Sequence, residues 1–288
     1  MSRTWFNGSL VDGALPVDRG ERGLLLGDGL FETILVLNRT PLWGNMHFLR
    51  LEAAAQELGL AFDRDALDDA VGAILAGAPR SHQVLRVTLT RGSGLRGLAA
   101  DGTNPSLLLT LDPFDPALMF APVTLASTAI RRNPASVASR HKTLSYVDNI
   151  AAAREAAAKG ADDALMRNTR GKAACSTIAN LFLLAGGTLV TPARGEGILT
   201  GIMRQALLHS AARAGFGTEE RAVTPSELRR ADAVFLTNSL RFIRPVTALD
   251  GKPLTQGDLS SLVSSLCETA RLQCGQDPRM VDLAAHGR

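Results

Sequence analysis

Two X-Pro steps in close succession, Asp112-Pro113-Phe114-Asp115-Pro116-Ala117, constrain this chain more than any other feature. A residue before proline is biased toward extended backbone, and proline continues neither a helix nor the interior of a sheet. The segment therefore breaks both neighbouring elements and divides the chain into residues 1–112, a linker over 113–121 and residues 122–288. With 288 residues there is ample core for two medium domains.

Composition excludes several classes. Hydrophobic residues make up 45% and charged residues 20%, the balance of an ordinary globular protein. A net charge of +3 is too small to argue for nucleic acid or an anionic membrane. No apolar run approaches the length of a membrane span, and the start, Met1-Ser2-Arg3-Thr4-Trp5-Phe6-Asn7-Gly8, has no apolar signal-peptide core. Cys175, Cys267 and Cys274 have no metal-ligand spacing, and their odd number argues against a disulfide framework. A reducing cytoplasm is the expected home, and no metal is expected.

The first part reads as strands and turns over residues 4–43, then helices, then strands. Asn7-Gly8 is a hairpin signal, Leu30–Leu37 and Pro41–Trp43 flank a turn at Asn38-Arg39, and Gly27-Asp28-Gly29 is a tight bend. A helix over 45–58 puts Met46, Leu49, Ala53 and Ala54 on one face, with Leu51, Ala55 and Leu58 beside them, and stops at Gly59. A second helix carries Leu67, Val71, Ile74 and Leu75 and closes at Gly77 and Pro79. Strands over Val84–Thr90 and Ser106–Leu111 enclose Arg91-Gly92-Ser93-Gly94-Leu95-Arg96-Gly97, a loop whose amides and arginines suit an anion such as a carboxylate.

The second part mixes the two periods. Ala151–Lys159 is helical, and Ala164–Met166, Asn180–Leu184 and Thr188–Val190 are strands, the last two joined by Gly186-Gly187. A helix opening at Thr200-Gly201-Ile202-Met203 and running to about Ala214 offers a positive N-terminus that suits a phosphate, or an ordinary threonine cap. Thr224-Pro225-Ser226-Glu227 is a capping box with proline at its first helical position. Val234–Ser239 is a buried strand with a polar end, Leu254–Leu272 is an amphipathic helix, and the tail from Gln273 reads as loosely held.

Lysine is scarce: Lys142, Lys159, Lys172 and Lys252 are all there are. Lys159 and Lys252 lie in turn-like surroundings, whereas Lys142 sits between Arg140-His141 and an Ala-rich helix. A surface or salt-bridged lysine is the ordinary reading of such a residue. A lysine tucked into a folded site can instead lose its proton and form a Schiff base with a carbonyl.

The succession Gly27-Asp28-Gly29-Leu30-Phe31-Glu32, His47-Phe48-Leu49-Arg50-Leu51, Arg91–Gly97, Lys142, Ala179-Asn180-Leu181-Phe182, Gly201-Ile202-Met203-Arg204 and Thr237-Asn238-Ser239 resembles the class IV (fold-type IV) pyridoxal-phosphate enzymes. These include D-amino-acid transaminases, branched-chain aminotransferases and aminodeoxychorismate lyases, and the likeness runs from about Phe6 to Asp250. It implies an α/β (α+β) fold of two domains, a smaller N-terminal and a larger C-terminal one carrying the lysine, with pyridoxal 5′-phosphate between them. It also implies a homodimer and a small amino-acid or 2-oxo-acid substrate. By the same resemblance Lys142 is the Schiff-base lysine and catalytic base, and Arg50 binds the cofactor's phosphate. Gly201, Ile202 and Met203 give the helix-terminus phosphate cup, with Asn238 or Ser239 as its second side and Asn180 among the cofactor contacts. Arg96 lies in the loop that reaches the substrate carboxylate, and Phe31 stands where D-amino-acid transaminases carry a tyrosine.

Two positions depart from the pattern. Five residues before Asn180 the family places a glutamate that keeps the pyridine nitrogen protonated; here it is Cys175, expected to pack as a small hydrophobe. Tyr146 falls one residue closer to the lysine than the tyrosine of branched-chain aminotransferases. The expected reaction is amino transfer between an amino acid (D- or branched-chain type) and a 2-oxo acid. Aminodeoxychorismate lyase, and a cofactor-binding protein weakened in catalysis by Cys175, stand as alternatives. Arg241 and Arg244 could serve a second carboxylate or be solvated surface residues.

Overall fold

The computed structural model describes residues 2–78 and 82–281, so Pro79, expected to close the second helix, lies outside the described residues. The chain separates into two compact units. The first comprises residues 1–114 with His141–Ser145 and Gln273–Gln276; the second comprises Asp115–Arg140, Tyr146–Leu272 and residues 277–288.

In the first unit the elements are β1 (Arg3–Phe6), β2 (Ser9–Val11), α1 (Arg22–Leu26), β3 (Gly29–Leu37), β4 (Thr40–Pro41), α2 (Gly44–Glu57), α3 (Arg64–Ala76), β5 (Gln83–Thr90), β6 (Ser93–Gly94), β7 (Gly102–Thr103) and β8 (Ser106–Pro113). Six strands form one antiparallel sheet in the order β2-β1-β8-β5-β3-β4. Side chains alternate across a strand, so Leu30, Ile34 and Val36 of β3 share a face with Leu85, Val87 and Leu89 of β5. That face is buried with Phe48, Leu51, Ala54 and Ala55 of α2 and Leu67, Ala70, Val71 and Ile74 of α3. Asn7 and Gly8 both take positive φ, as the two-residue hairpin requires.

The second unit holds β9 (Val123–Arg132), α4 (Val137–Arg140), α5 (Val147–Ala158), β10 (Asp163–Asn168), β11 (Ala173–Cys175), β12 (Asn180–Ala185), β13 (Thr188–Pro192), α6 (Ile202–Ala211), β14 (Gly217–Arg221), α7 (Pro225–Arg230), β15 (Ala233–Asn238), β16 (Phe242–Leu249), β17 (Lys252–Pro253) and α8 (Ser260–Cys274). The last two residues of α8 count with the first unit. The mixed sheet runs β11-β10-β9-β16-β15-β12-β13-β14, parallel where β9 meets β10 and β16 and where β13 meets β14. Ala152 and Ala156 of α5 pack with Ala126, Ala164, Met166 and Cys175 in one small-residue cluster. Thr224 caps α7 in a full capping box with Pro225 in its first turn.

Several expectations are corrected. Residues 22–26 are helical, not strand or turn, because the Glu21 side chain caps the Gly23 amide and Gly27 closes the helix at φ 66°. The buried face of α2 carries His47, Phe48 and Leu51, while Leu49 is half exposed. The rotation brings the polar His47 inward, where it has a carboxylate partner. The ten-residue strand β9 went unseen in the sequence. Helix α6 is capped at Gly201, not Thr200, and α8 begins at Ser260, not Leu254. The tail is held as far as Val281: Trp43 donates its amide to Gln273 Oε1 at 2.9 Å, Asn38 Nδ2 to the Cys274 carbonyl at 3.1 Å, and Val281 is buried. The segment His141–Ser145 that carries Lys142 groups with the first unit, through backbone bonds to β3. No helix among the described residues is long and apolar enough to cross a membrane.

Candidate active site

Alternation along β3 turns Glu32 to the helix face, with Leu30 and Ile34 around it. A carboxylate there survives only with partners. Residues three apart on a helix share a face, and His47 and Arg50 of α2 provide those partners. His47 Nδ1 donates to Glu32 Oε2 at 2.7 Å, Arg50 Nε to Oε1 at 2.8 Å, and Arg50 Nη2 to Oε2 at 2.6 Å. Burial alone would raise the Glu32 pKa, but the Arg50 charge and the His47 hydrogen bond outweigh it and hold the carboxyl at about 2. Burial lowers the pKa of His47, so the ring is neutral near pH 7 and its proton sits on the nitrogen facing the carboxylate.

The lysine segment adds a short rung to β3. Phe31 donates its amide to the Lys142 carbonyl at 2.9 Å, Leu144 donates to Gly29 at 2.9 Å, and Leu30 bridges Thr143. Gly29 has no room for a side chain: a Cβ would lie 2.6 Å from the Leu89 carbonyl oxygen of β5 and 2.8 Å from Leu144 Cδ1 of the lysine segment. His141 Nε2 meets Glu57 Oε1 at 3.1 Å and ties the segment to the end of α2. These contacts leave Lys142 only partly exposed, with Nζ 4.0 Å from the centroid of the Phe31 ring. The Arg86 guanidinium carbon of β5 stands 4.0 Å from the same centroid. Desolvation lowers the Lys142 pKa, Arg50 and Arg86 lower it further, Glu32 opposes them, and the result is about 8.

The loop after β5 is wired to the turn before β3. Asp28 Oδ2 accepts from Arg22 Nε and Arg91 Nε, each at 2.9 Å. Arg22 also donates to the carbonyls of Gly97 at 2.9 Å and Leu98 at 3.2 Å. Arg96 itself is exposed on that loop.

In the second unit, Cys175 is buried, paired in register with Met166 and Asn180, and burial raises its thiol pKa. Asn180 Nδ2 donates to the Leu199 carbonyl at 2.8 Å, and a Cβ on Gly201 would fall 2.0 Å from Asn180 Oδ1, so a side chain there would displace the Asn180 amide. Gly201 caps α6 and makes no side-chain cap bond, and Ile202 and Met203 stand in the helix's first turn. Across the sheet from Asn180 is Thr237, whose Oγ1 is buried with no hydrogen-bond partner. Asn238 uses Oδ1 to accept from the amides of Leu240 and Arg241, and Ser239 follows at the end of β15. Arg244 is engaged by the carbonyls of Ala121 and Pro122.

Phe31, Arg50 and Lys142 thus gather in the first unit, and Cys175, Asn180 and Gly201 in the second. Glu32, His47 and Arg86 were missed as site residues. Glu32 and His47 stood inside quoted motifs, and the three-residue spacing of His47 and Arg50 was a usable signal. Arg86 sits in a strand whose period marks its face but not its neighbours.

A model of the family described as amino-transferase class IV matches residues 29–249. The chain is 28% identical over 282 residues to a D-alanine aminotransferase of Bacillus licheniformis, covering 92% of this chain and 98% of that protein. The crystal structure of a branched-chain aminotransferase from Thermoproteus uzoniensis with norvaline superimposes with a TM-score of 0.86 at 27% identity, covering 96% of each chain. That of 4-amino-4-deoxychorismate lyase from Pseudomonas aeruginosa does so with a TM-score of 0.79 at 30% identity, covering 93% of this chain and 98% of that one.

Proposed function

This chain belongs to the amino-transferase class IV family, and from that premise we propose that it transfers an amino group between an amino acid, of D- or branched-chain type, and a 2-oxo acid. It is an enzyme with the mixed α/β fold of the fold-type IV proteins, in a family that depends on pyridoxal phosphate. The residues present fit that cofactor. Lys142 is a desolvated amine, α6 begins without a side-chain cap, and Thr237 Oγ1 is a buried orphan. When bound, pyridoxal phosphate supplies an aldehyde for amines to condense with and a conjugated ring that draws electron density from the substrate's Cα. Lys142 would anchor it. In the first unit Arg50 is the candidate for a phosphate contact; within the second unit the candidates are the amides of Gly201, Ile202 and Met203 and Asn238 or Ser239, with Asn180 and Cys175 as further candidate contacts.

The observation that carries this reading is the setting of Lys142. A pKa of about 8 leaves a usable neutral fraction near neutral pH, so Nζ can accept a proton from the substrate's Cα and return it. Phe31 supplies an apolar wall, and Glu32 limits how far the neighbouring cations depress the amine. The likeness to an aminodeoxychorismate lyase supports a second reading, elimination of pyruvate to leave 4-aminobenzoate. A half-reaction screen with D- and L-amino acids, (R)-amines and aminodeoxychorismate tests both. Loss of the visible band on adding an amino acid is expected; pyruvate release from aminodeoxychorismate without amino transfer would replace the first reading by the second.

A homodimer is part of the proposal. Leu24, Leu25 and Leu26 of α1 are 71%, 62% and 48% exposed, and Leu95 and Leu98 are 84% and 85% exposed on the loop that Arg22 ties to α1. A patch of that kind on one unit is an expected association surface. Sedimentation should give twice the chain mass, and Leu25→Glu with Leu98→Glu should lower it to one.

A further inference from the structure

A cleft of about 600 Å³ opens in the first unit between α3 and the sheet, and none of Phe31, Glu32, Arg50 or Lys142 lines it. That volume falls within the range of about 300–1,000 Å³ usual for small-molecule sites. Its origin is local. Leu67, Val71 and Ile74 of α3 are buried in the unit's core. Ala66, Ala70 and Ala73 of the same helix, spaced four and three residues apart, share one face and line the cleft. Methyl groups along that face leave the space that larger side chains would fill. The facing wall is Trp5 of β1 with Leu89 and Leu107, which are register partners on β5 and β8. Phe62, just before α3, adds a second aromatic ring.

Charge narrows the kind of ligand. Among the described residues that line the cleft, the charged side chains are two carboxylates, Asp63 and Asp69. Asp63 Oδ1 caps α3, accepting from the amides of Asp65 and Ala66 at 3.0 and 3.1 Å, and Asp69 is exposed. Arg64, next to Asp63 in the chain, is bonded to Asp68 at 2.9 Å and to Asn45 at 3.0 Å. Basic residues outnumber acidic ones in the whole chain, 31 to 28, so the sign of this cleft runs against the bulk charge. Two carboxylates repel an anion and give an uncharged ligand no advantage, whereas they attract a cation. Aromatic rings such as those of Trp5 and Phe62 also favour organic cations over anions. The cluster around Lys142 sets that amine, Arg50 and Arg86 against Glu32 and so favours the opposite sign.

We propose that this cleft is a second small-molecule site and that it takes an apolar organic cation, an alkyl- or arylammonium ion. The apolar part of the ligand displaces water from the alanine face and from the Leu89–Leu107 pair, and its charge is drawn to Asp63 and Asp69. The site is independent of the chemistry at Lys142.

The test uses the holoenzyme and benzyltrimethylammonium, which has no N–H and cannot condense with a carbonyl; phenylacetate is the anionic comparison. Trp5 and Trp43 are the two tryptophans, so protein labelled with 5-fluorotryptophan gives two fluorine resonances, assigned with Trp5→Phe. The cation should shift the Trp5 resonance saturably, and calorimetry should show it binding more tightly than phenylacetate. Asp63→Asn with Asp69→Asn keeps a good capping residue at 63 and should weaken binding of the cation by about 3- to 10-fold. Ala66→Leu and, separately, Ala73→Leu fill the cleft and should each weaken it by about tenfold or more, with melting curves showing that each variant folds. A Trp5 resonance that does not move would overturn the assignment. So would phenylacetate binding as tightly as the cation, or a cation affinity unchanged in the double asparagine variant or in both leucine variants.

Discussion

Lys142 and Cys175 stand in surroundings that differ in kind. Around Lys142 the first unit gathers Glu32, His47, Arg50 and Arg86, and the amine is tuned by desolvation together with both signs of charge. Around Cys175 the second unit gathers Ala126, Ala164, Ala174 and Met166, and burial keeps the thiol protonated. The first setting can hold and release a proton near neutral pH; the second cannot. A glutamate at position 175 would carry charge into that small-residue cluster, whereas the cysteine fills it. We propose that proton handling rests with the Lys142 cluster and that Cys175 contributes volume.

The sharpest way to break that contrast is to remove the amine. Lys142→Ala should cost about 10²–10⁴-fold in amino transfer and abolish the visible band. Rapid assay and absorbance scans check both, and a surviving band would move the anchor to another lysine.

Glu32→Gln should come next. It removes the carboxylate that accepts from the partly buried Arg50 and should cost about 1.5–3 kcal/mol in denaturant unfolding. Because Glu32 raises the Lys142 pKa, its loss should shift the titration of the free Lys142 amine to lower pH, read as the pH dependence of amine labelling in the cofactor-free protein. The linkage has two signs. The Glu32 pKa is depressed to about 2, so its contribution is present above the carboxylate's ordinary range and lost as pH falls toward 2. The Lys142 pKa is lowered from 10.5 to about 8, so the folded state binds fewer protons in that window and stability gains from Lys142 as pH rises from 8 toward 10.5. Lys142→Met should flatten that rise in a pH series of unfolding curves.

Substitution at 175 probes the other side. Cys175→Ala should leave the amino-transfer rate within about twofold and cost about 1 kcal/mol of stability, as a small cavity would. Cys175→Glu should raise the transfer rate; no gain in single-turnover kinetics would mean that the ring nitrogen is served by another group.

The smallest effect concerns a polar group that the first unit leaves without partners. Gln83 is fully buried, and among the described residues neither Nε2 nor Oε1 has a hydrogen-bond partner. Gln83→Leu should raise stability by about 1–2 kcal/mol, read as an upward shift of the melting temperature.

Elements with local signals were readable from sequence. The Asn7-Gly8 hairpin, the Thr224 capping box and the α3 pattern each depend on residues a few positions apart. Strand β9 lacks the strict alternation that would have marked it, since Ala126 is buried directly after Leu125. The inward turn of His47 could not be read from helix periodicity, because its reason lies 15 residues away in Glu32. Lys142 was legible through its scarcity and motif order. Its placement beside β3, and the company of Arg86, depend on tertiary pairing that the local pattern does not encode.

Borohydride reduction of the purified protein, followed by peptide mapping, identifies the lysine that carries the cofactor. A pyridoxyl-phosphate mass is expected on Lys142 alone. The same mass on Lys159, Lys172 or Lys252, with Lys142 unmodified, would contradict it.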